Sequence, residues 1–242
     1  MEKINLFCLP FAGGSLFSYR SFVQKAPHSL NIISLELPGR GRRVQENLCT
    51  DLFDLVEDVF RQIQHRLDHP YAIYGHSMGS VLGYLLTRKI CQLGLPQPLH
   101  LFFTGRRGPC LGIQEQLYKL PRPQFVEKLR ELGGSSEEVL SNADVMDFFE
   151  PVLKADFQAL ETYQYQHSVP LDIPIIVMIG SEENTTPEMA MAWQRETRQE
   201  LELKIFKGHH FFIFDHVEEI LEIVANKLEE SLVKSNELET SL

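Results

Sequence analysis

The sequence predicts an α/β fold: a mostly parallel sheet with helices on both faces. Three observations carry that prediction. Short, continuously apolar segments alternate with segments of helical period. The apolar segments are rich in Ile, Leu, Val and Phe without polar alternation, as strands buried on both faces require. Gly- and Pro-containing loops separate them. The chain has 242 residues, 43% hydrophobic and 23% charged, which suits one domain with a large core, so residues 1–242 are read as a single unit.

Residues 3–9 read as the first strand and run into the Gly-rich loop "PFAGGS". A short helical stretch, 16–25, precedes a second strand at 31–37, stopped by Pro38-Gly39. Residues 51–67 form a helix in which Leu52, Leu55, Val56, Val59, Phe60 and Ile63 keep the helical period. Thr50 is its expected cap, and Asp51 and Asp54 suit the positive end of its dipole. A third strand at 71–74 leads to a helix at 80–93, ended by Gly94, and a fourth strand at 100–104.

The alternation then stops. About 107–168 shows helical periodicity only: "RPQFVEKLREL", ended by Gly133-Gly134, then a long segment capped by Ser141 or Asn142 and kinked at Pro151. Inserted between strands, this block is expected to form a lid over the C-terminal edge of the sheet. Strand 174–179, helix 187–197, strand 201–206 and helix 217–233 complete the pattern, with a polar tail expected to fray.

Composition narrows the function. The longest apolar run, 173–179, is interrupted by Pro174 and is too short to cross a bilayer. Residues 4–12 faintly resemble a signal peptide, but Asn5 and Pro10 interrupt the apolar run and Glu2 opposes a positive n-region, so the stretch reads better as a first strand and a cytoplasmic location is expected. Cys8, Cys49, Cys91 and Cys110 form no Cys-x-x-Cys pair and have no His at metal-ligand spacing, so neither disulfides nor a metal is expected. A net charge of −10 argues against nucleic acid as the main partner.

Gly75-His76-Ser77-Met78-Gly79 lies between a strand and a helix. That context makes Gly-x-Ser-x-Gly a nucleophile elbow: the backbone two residues either side of the serine is crowded, and the serine is lifted above the sheet edge. A serine hydroxyl needs a base, and the base an orienting acid, in the chain order Ser, acid, His. After strand 174–179 come Glu182 and Glu183; Glu183 is the preferred acid and Glu182 the alternative. After strand 201–206 come His209 and His210; His209, next to Gly208, is the preferred base and His210 the alternative. Asp156 precedes the acid-bearing strand, and a structural role is expected for it. The oxyanion hole is expected from the N–H of Met78 and that of Ala12 or Phe11.

Taken together, "LFCLPFAGGS", "LELPGRGRR", "YGHSMGS", "PVLKADFQALETY", "PLDIPIIVMIGSEE", Trp193 and "KGHHFF" resemble the type II (stand-alone) thioesterases of non-ribosomal peptide and polyketide synthesis. The resemblance implies an α/β-hydrolase fold with a helical lid and no cofactor. It also implies hydrolysis of acyl thioesters held on the phosphopantetheine arm of carrier proteins. Ser77 and His209 match its nucleophile and base, and Ala12 and Met78 its oxyanion donors. This chain departs from the family in having Glu182-Glu183 where the family carries Asp, and Lys207-Gly208 where it carries Gly-Gly. Arg40, Arg42, Arg43, Arg106 and Arg107 are candidates to meet an acidic carrier or its phosphate, against a structural role for the same arginines. A general carboxylesterase or lipase, or a non-catalytic carrier-binding subunit, are the rival readings.

Overall fold

The structure, a computed structural model, describes residues 3–240 apart from Gln114, Ser135 and Ser136. Six strands form one sheet: β1 (Ile4–Leu9), β2 (Leu30–Ser34), β3 (Tyr71–His76), β4 (Leu101–Thr104), β5 (Ile175–Gly180) and β6 (Glu202–Phe206). Their order is β2-β1-β3-β4-β5-β6, and every neighbouring pair is parallel. All six C-terminal ends therefore share one edge, and the loops that leave it carry the candidate residues.

Burial on both faces explains why the strands read as unbroken apolar runs. In β3, Tyr71 and Ile73 face one core while Ala72 and Tyr74 face the other; in β5, Val177 and Met178 divide the same way. Helices α2 (Leu52–Ile63) and α3 (Met78–Gln92) cover the first face, and α1 (Arg20–Lys25) and α8 (Val217–Thr240) the second. Each fully buried Ile, Leu or Phe contributes about 1.5–3 kcal/mol. Between β4 and β5 lie α4 (Arg122–Leu132), α5 (Glu137–Ser141) and α6 (Ala143–Thr162), which enclose a smaller apolar cluster that includes Phe125, Leu129, Met146 and Leu153. Helix α7 (Pro187–Met191) follows β5.

Several boundaries differ from the sequence reading. The α2 cap is Asp51, whose carboxylate accepts from the N–H groups of Phe53 (2.8 Å) and Asp54 (3.1 Å), rather than Thr50. Strand β2 ends at Ser34 because Glu36 turns inward, where its carboxylate accepts from the N–H of Leu16 and of Arg42. Asn142 caps α6. Helix α8 continues to Thr240, since Val217–Thr240 contains no Gly or Pro and is rich in helix formers. The cysteines are free thiols. No helix among the described residues is long and apolar enough to cross a membrane.

Candidate active site

Strand β3 runs directly into α3 through Ser77, two residues earlier than the sequence pattern suggests. Ser77 has φ 54° and ψ −113°, and is the one non-glycine residue with positive φ among the described residues. Such a conformation costs about 1–3 kcal/mol and persists only where the surroundings enforce it. Here the Ser77 N–H donates to Thr104 O at 2.8 Å, and Ser80 Oγ donates to Gly75 O at 2.9 Å. The flanking glycines are steric necessities. A Cβ on Gly75 would lie 2.2 Å from Gly79 O, and one on Gly79 would lie 2.4 Å from Leu9 O.

The loops after β5 and β6 are stitched together by Ser181 N–H to Phe206 O (2.7 Å) and Glu182 N–H to Gly208 O (2.9 Å). This brings each acid beside one histidine, with opposite burial. Glu183 is almost fully enclosed: Oε1 accepts from the Gly180 N–H (2.9 Å), and Oε2 meets His210 Nδ1 at 2.8 Å. The side chains of His210 and Glu183 are 15% and 3% exposed. His209 points outward, 74% exposed, and pairs with the half-exposed Glu182 at 3.0 Å. The two bases that the sequence offers are thus set apart by their surroundings: His209, the preferred one, is solvent-exposed, and His210, the alternative, is enclosed. The imidazole that meets a buried carboxylate and packs against the elbow is that of His210, whose ring lies 4.8 Å from that of His76. Position after Gly208 does not decide the matter, because consecutive side chains of the turn face opposite ways.

Residues 11–14 form a tight turn, closed by Gly14 N–H to Phe11 O at 2.8 Å, with Gly13 at φ 76° as its third residue. The Gly13 N–H donates to Asp156 Oδ2 at 2.7 Å. The N–H groups of Phe11 and Ala12 have no acceptor among the described residues, and Met78 opens α3, where amides have no intrahelical partner. Asp156, fully buried on α6, also forms a two-pronged pair with Arg40 (2.5 and 2.7 Å). Arg40 is thus a buried strut, unavailable to a docking partner. Arg43 is likewise engaged by Glu46 and Asp58.

A cavity of about 720 Å³ opens between the sheet edge and the α4–α6 block. Ser77, Ala12, Glu183 and His210 line it at one end, and Leu129, Met146 and Leu160 are part of its apolar wall. His76, behind the serine, is completely buried, with Nδ1 2.9 Å from Thr104 Oγ1. Burial, and secondarily the neighbouring His210, push its pKa well below the usual histidine value, so its ring is neutral. The sequence carries no signal for this burial, since His76 is only the variable residue of the elbow. No group of three or more His, Cys, Asp or Glu among the described residues is arranged to hold a metal.

The thioesterase-domain family model matches residues 4–228. This chain belongs to the thioesterase family. The enzyme is 36% identical over 228 residues to the gramicidin S biosynthesis protein GrsT of Aneurinibacillus migulanus, covering 93% of this chain and 89% of that one. It superposes on RedJ, the thioesterase of the prodiginine pathway in Streptomyces coelicolor, with a TM-score of 0.88 at 31% identity, covering 93% and 91% of the two chains. BorB, the type II thioesterase of the borrelidin biosynthetic cluster, gives 0.86 at 30% identity and 93% coverage of both. The thioesterase therefore has the α/β-hydrolase architecture that its motifs imply, and its relatives serve secondary-metabolite biosynthesis.

Proposed function

We propose that this thioesterase hydrolyses acyl groups from the phosphopantetheine arm of carrier proteins in non-ribosomal peptide or polyketide synthesis. Ser77 is the nucleophile, His210 the base and Glu183 its orienting acid. The main support is the strained elbow serine on a cavity that also receives a buried carboxylate–imidazole pair.

Glu183 holds Nδ1 of His210 as the donor, leaving Nε2 as the acceptor for the Ser77 proton. Oγ attacks the thioester carbonyl, and the oxyanion is met by the N–H of Met78 and of Ala12, with Phe11 the alternative donor. The arm's thiolate leaves, taking the proton from His210. Water, deprotonated by the same imidazole, then attacks the acyl-serine and frees the acid. These steps use no metal or cofactor. The α4–α6 block serves as a lid over the acyl chain, and the enzyme works in the cytoplasm on carrier-bound substrate. Contact between Glu183 and His210 at 2.8 Å counts against a non-catalytic carrier-binding role, whose one sequence argument was the Glu-for-Asp change.

The test is intact mass of acyl-loaded carrier proteins before and after incubation. Ser77→Ala should lose about 10⁴–10⁶ in kcat. Wild-type deacylation by Ser77→Ala refutes the proposal.

A further inference from the structure

Arg106 and its neighbour Arg107, both half-buried, differ from the carboxylate-bound Arg40 and Arg43, and of the two it is Arg106 whose charge is the more strongly desolvated. Arg106, two residues beyond β4, lines the catalytic cavity and a small adjoining pocket with no ion pair or side-chain hydrogen bond among the described residues. Its backbone is fixed, since its carbonyl accepts from Trp193 Nε1 at 2.9 Å, and Trp193 is fully buried. The nearest carboxylates do not close on it. Glu161 is occupied by the N–H groups of Leu117 (3.0 Å) and Tyr118 (3.3 Å), and Glu115 lines the same cavity without reaching ion-pair distance. Burial, with Arg107 beside it, lowers its pKa to about 10, and Glu115 and Glu161 partly offset that; the group stays charged at neutral pH.

A cation held without a partner beside an apolar wall is costly, and the cost grows when a bound chain strips its water away. A plain alkyl chain offers nothing in exchange. A chain with a carbonyl oxygen restores the lost hydrogen bond. A full negative charge would meet Glu115 and Glu161 as well, so a neutral acceptor suits the wall better. We propose that Arg106 is a specificity-determining residue that selects acyl chains bearing a neutral carbonyl acceptor, such as an amide, beyond the thioester. This rests on the reading of the Ser77 cavity as the acyl site.

The phosphate of the carrier arm has overlapping chemistry, so the test uses N-acetylcysteamine thioesters, which lack both phosphate and carrier. N-acetylglycyl and pentanoyl groups have equal chain length and differ in the amide. Wild-type kcat/KM should favour N-acetylglycyl by about tenfold or more, because a site built to hydrogen-bond discriminates strongly against an analogue without the group. Arg106→Gln and Arg106→Met should lose about tenfold or more on N-acetylglycyl and stay within about threefold on pentanoyl. A succinyl thioester should be slower than N-acetylglycyl. The inference is overturned if the wild type prefers pentanoyl or succinyl, a result that needs no variant to fold. It is also overturned if both variants leave the N-acetylglycyl-to-pentanoyl ratio unchanged, or lose activity on carrier-bound substrates alone. If the three small thioesters are inert, the same three acyl groups are compared on a loaded carrier protein: inertness there too would sink the reading of the site itself, whereas hydrolysis with a ratio indifferent to residue 106 sinks only the inference.

Discussion

Replacing each of the adjacent histidines in turn separates two assignments that the sequence leaves side by side. His210 is 15% exposed and sits 2.8 Å from a carboxylate that is 3% exposed. An imidazolium formed there during catalysis is stabilised in a water-poor setting, so His210→Ala should cost about 10⁴–10⁶ in kcat, or about 5.5–8 kcal/mol. In Glu183→Gln, the amide oxygen still accepts from the Gly180 N–H, and the NH₂ then faces Nδ1. That favours the tautomer with its proton on Nε2, the wrong one for accepting from Ser77. The expected loss is about 10²–10⁴. His209 is 74% exposed and its pair with Glu182 is open to solvent, so His209→Ala and Glu182→Gln should each change kcat by less than about fivefold. The assay is kcat/KM for the four variants on one acyl thioester, with near-UV circular dichroism to confirm folding. A loss of about a thousandfold in His209→Ala with His210→Ala near wild type, or a larger loss in Glu182→Gln than in Glu183→Gln, refutes the reasoning.

Two further outcomes follow from buried groups outside the proposed triad. Asp156→Asn leaves the Arg40 guanidinium buried without its counter-charge and should destabilise the fold by about 3–5 kcal/mol. For a chain of this size that lowers Tm by about 6–20 °C. Arg40→Met with Asp156→Leu should recover part of the loss, and a single variant melting like wild type would show the pair to be dispensable. His76 is neutral in the fold but titrates near 6.5 when unfolded, so the unfolded chain binds the extra proton. Its contribution to stability is flat above that value and falls as pH drops below it, by at most about 1.4 kcal/mol per pH unit. Urea unfolding of wild type and His76→Gln from pH 7.5 to 5 should show a shallower acid-side loss in the variant, and parallel curves would contradict the buried neutral ring.

What the sequence discloses and what it hides divide along contact range. The elbow is local: glycine two residues either side of Ser77 follows from backbone crowding within one turn, and the distances at Gly75 and Gly79 show that crowding directly. The alternation of buried strands with amphipathic helices is equally local, and it gave the element order with boundary errors where a side chain intervened, as with Asp51 at α2 and Glu36 after β2. The acid and base loops were legible as loops because they follow β5 and β6. Which of two adjacent carboxylates and imidazoles turned inward was not, since that depends on how the loops zip together across the sheet edge. Arg40 and Asp156 are 116 positions apart, and nothing in either neighbourhood announces the pair.

That pair also bears on how the site holds its shape. Asp156 belongs to α6, which is part of the block over the cavity, yet its carboxylate takes the Gly13 N–H, and a Cβ on Gly13 would lie 2.5 Å from Leu153 Cδ2 of the same helix. The turn that offers the Ala12 N–H is therefore fixed from above by α6 and from the side by Arg40. If α4–α6 move to admit a carrier arm, the last turns of α6 must stay with the sheet while α4 and α5 open, because displacing Asp156 would leave Arg40 unpaired and release the loop assigned to the proposed oxyanion hole. Motion confined to the α4–α5 side leaves the catalytic end of the cavity intact, and the apolar end is free to adapt to the acyl chain.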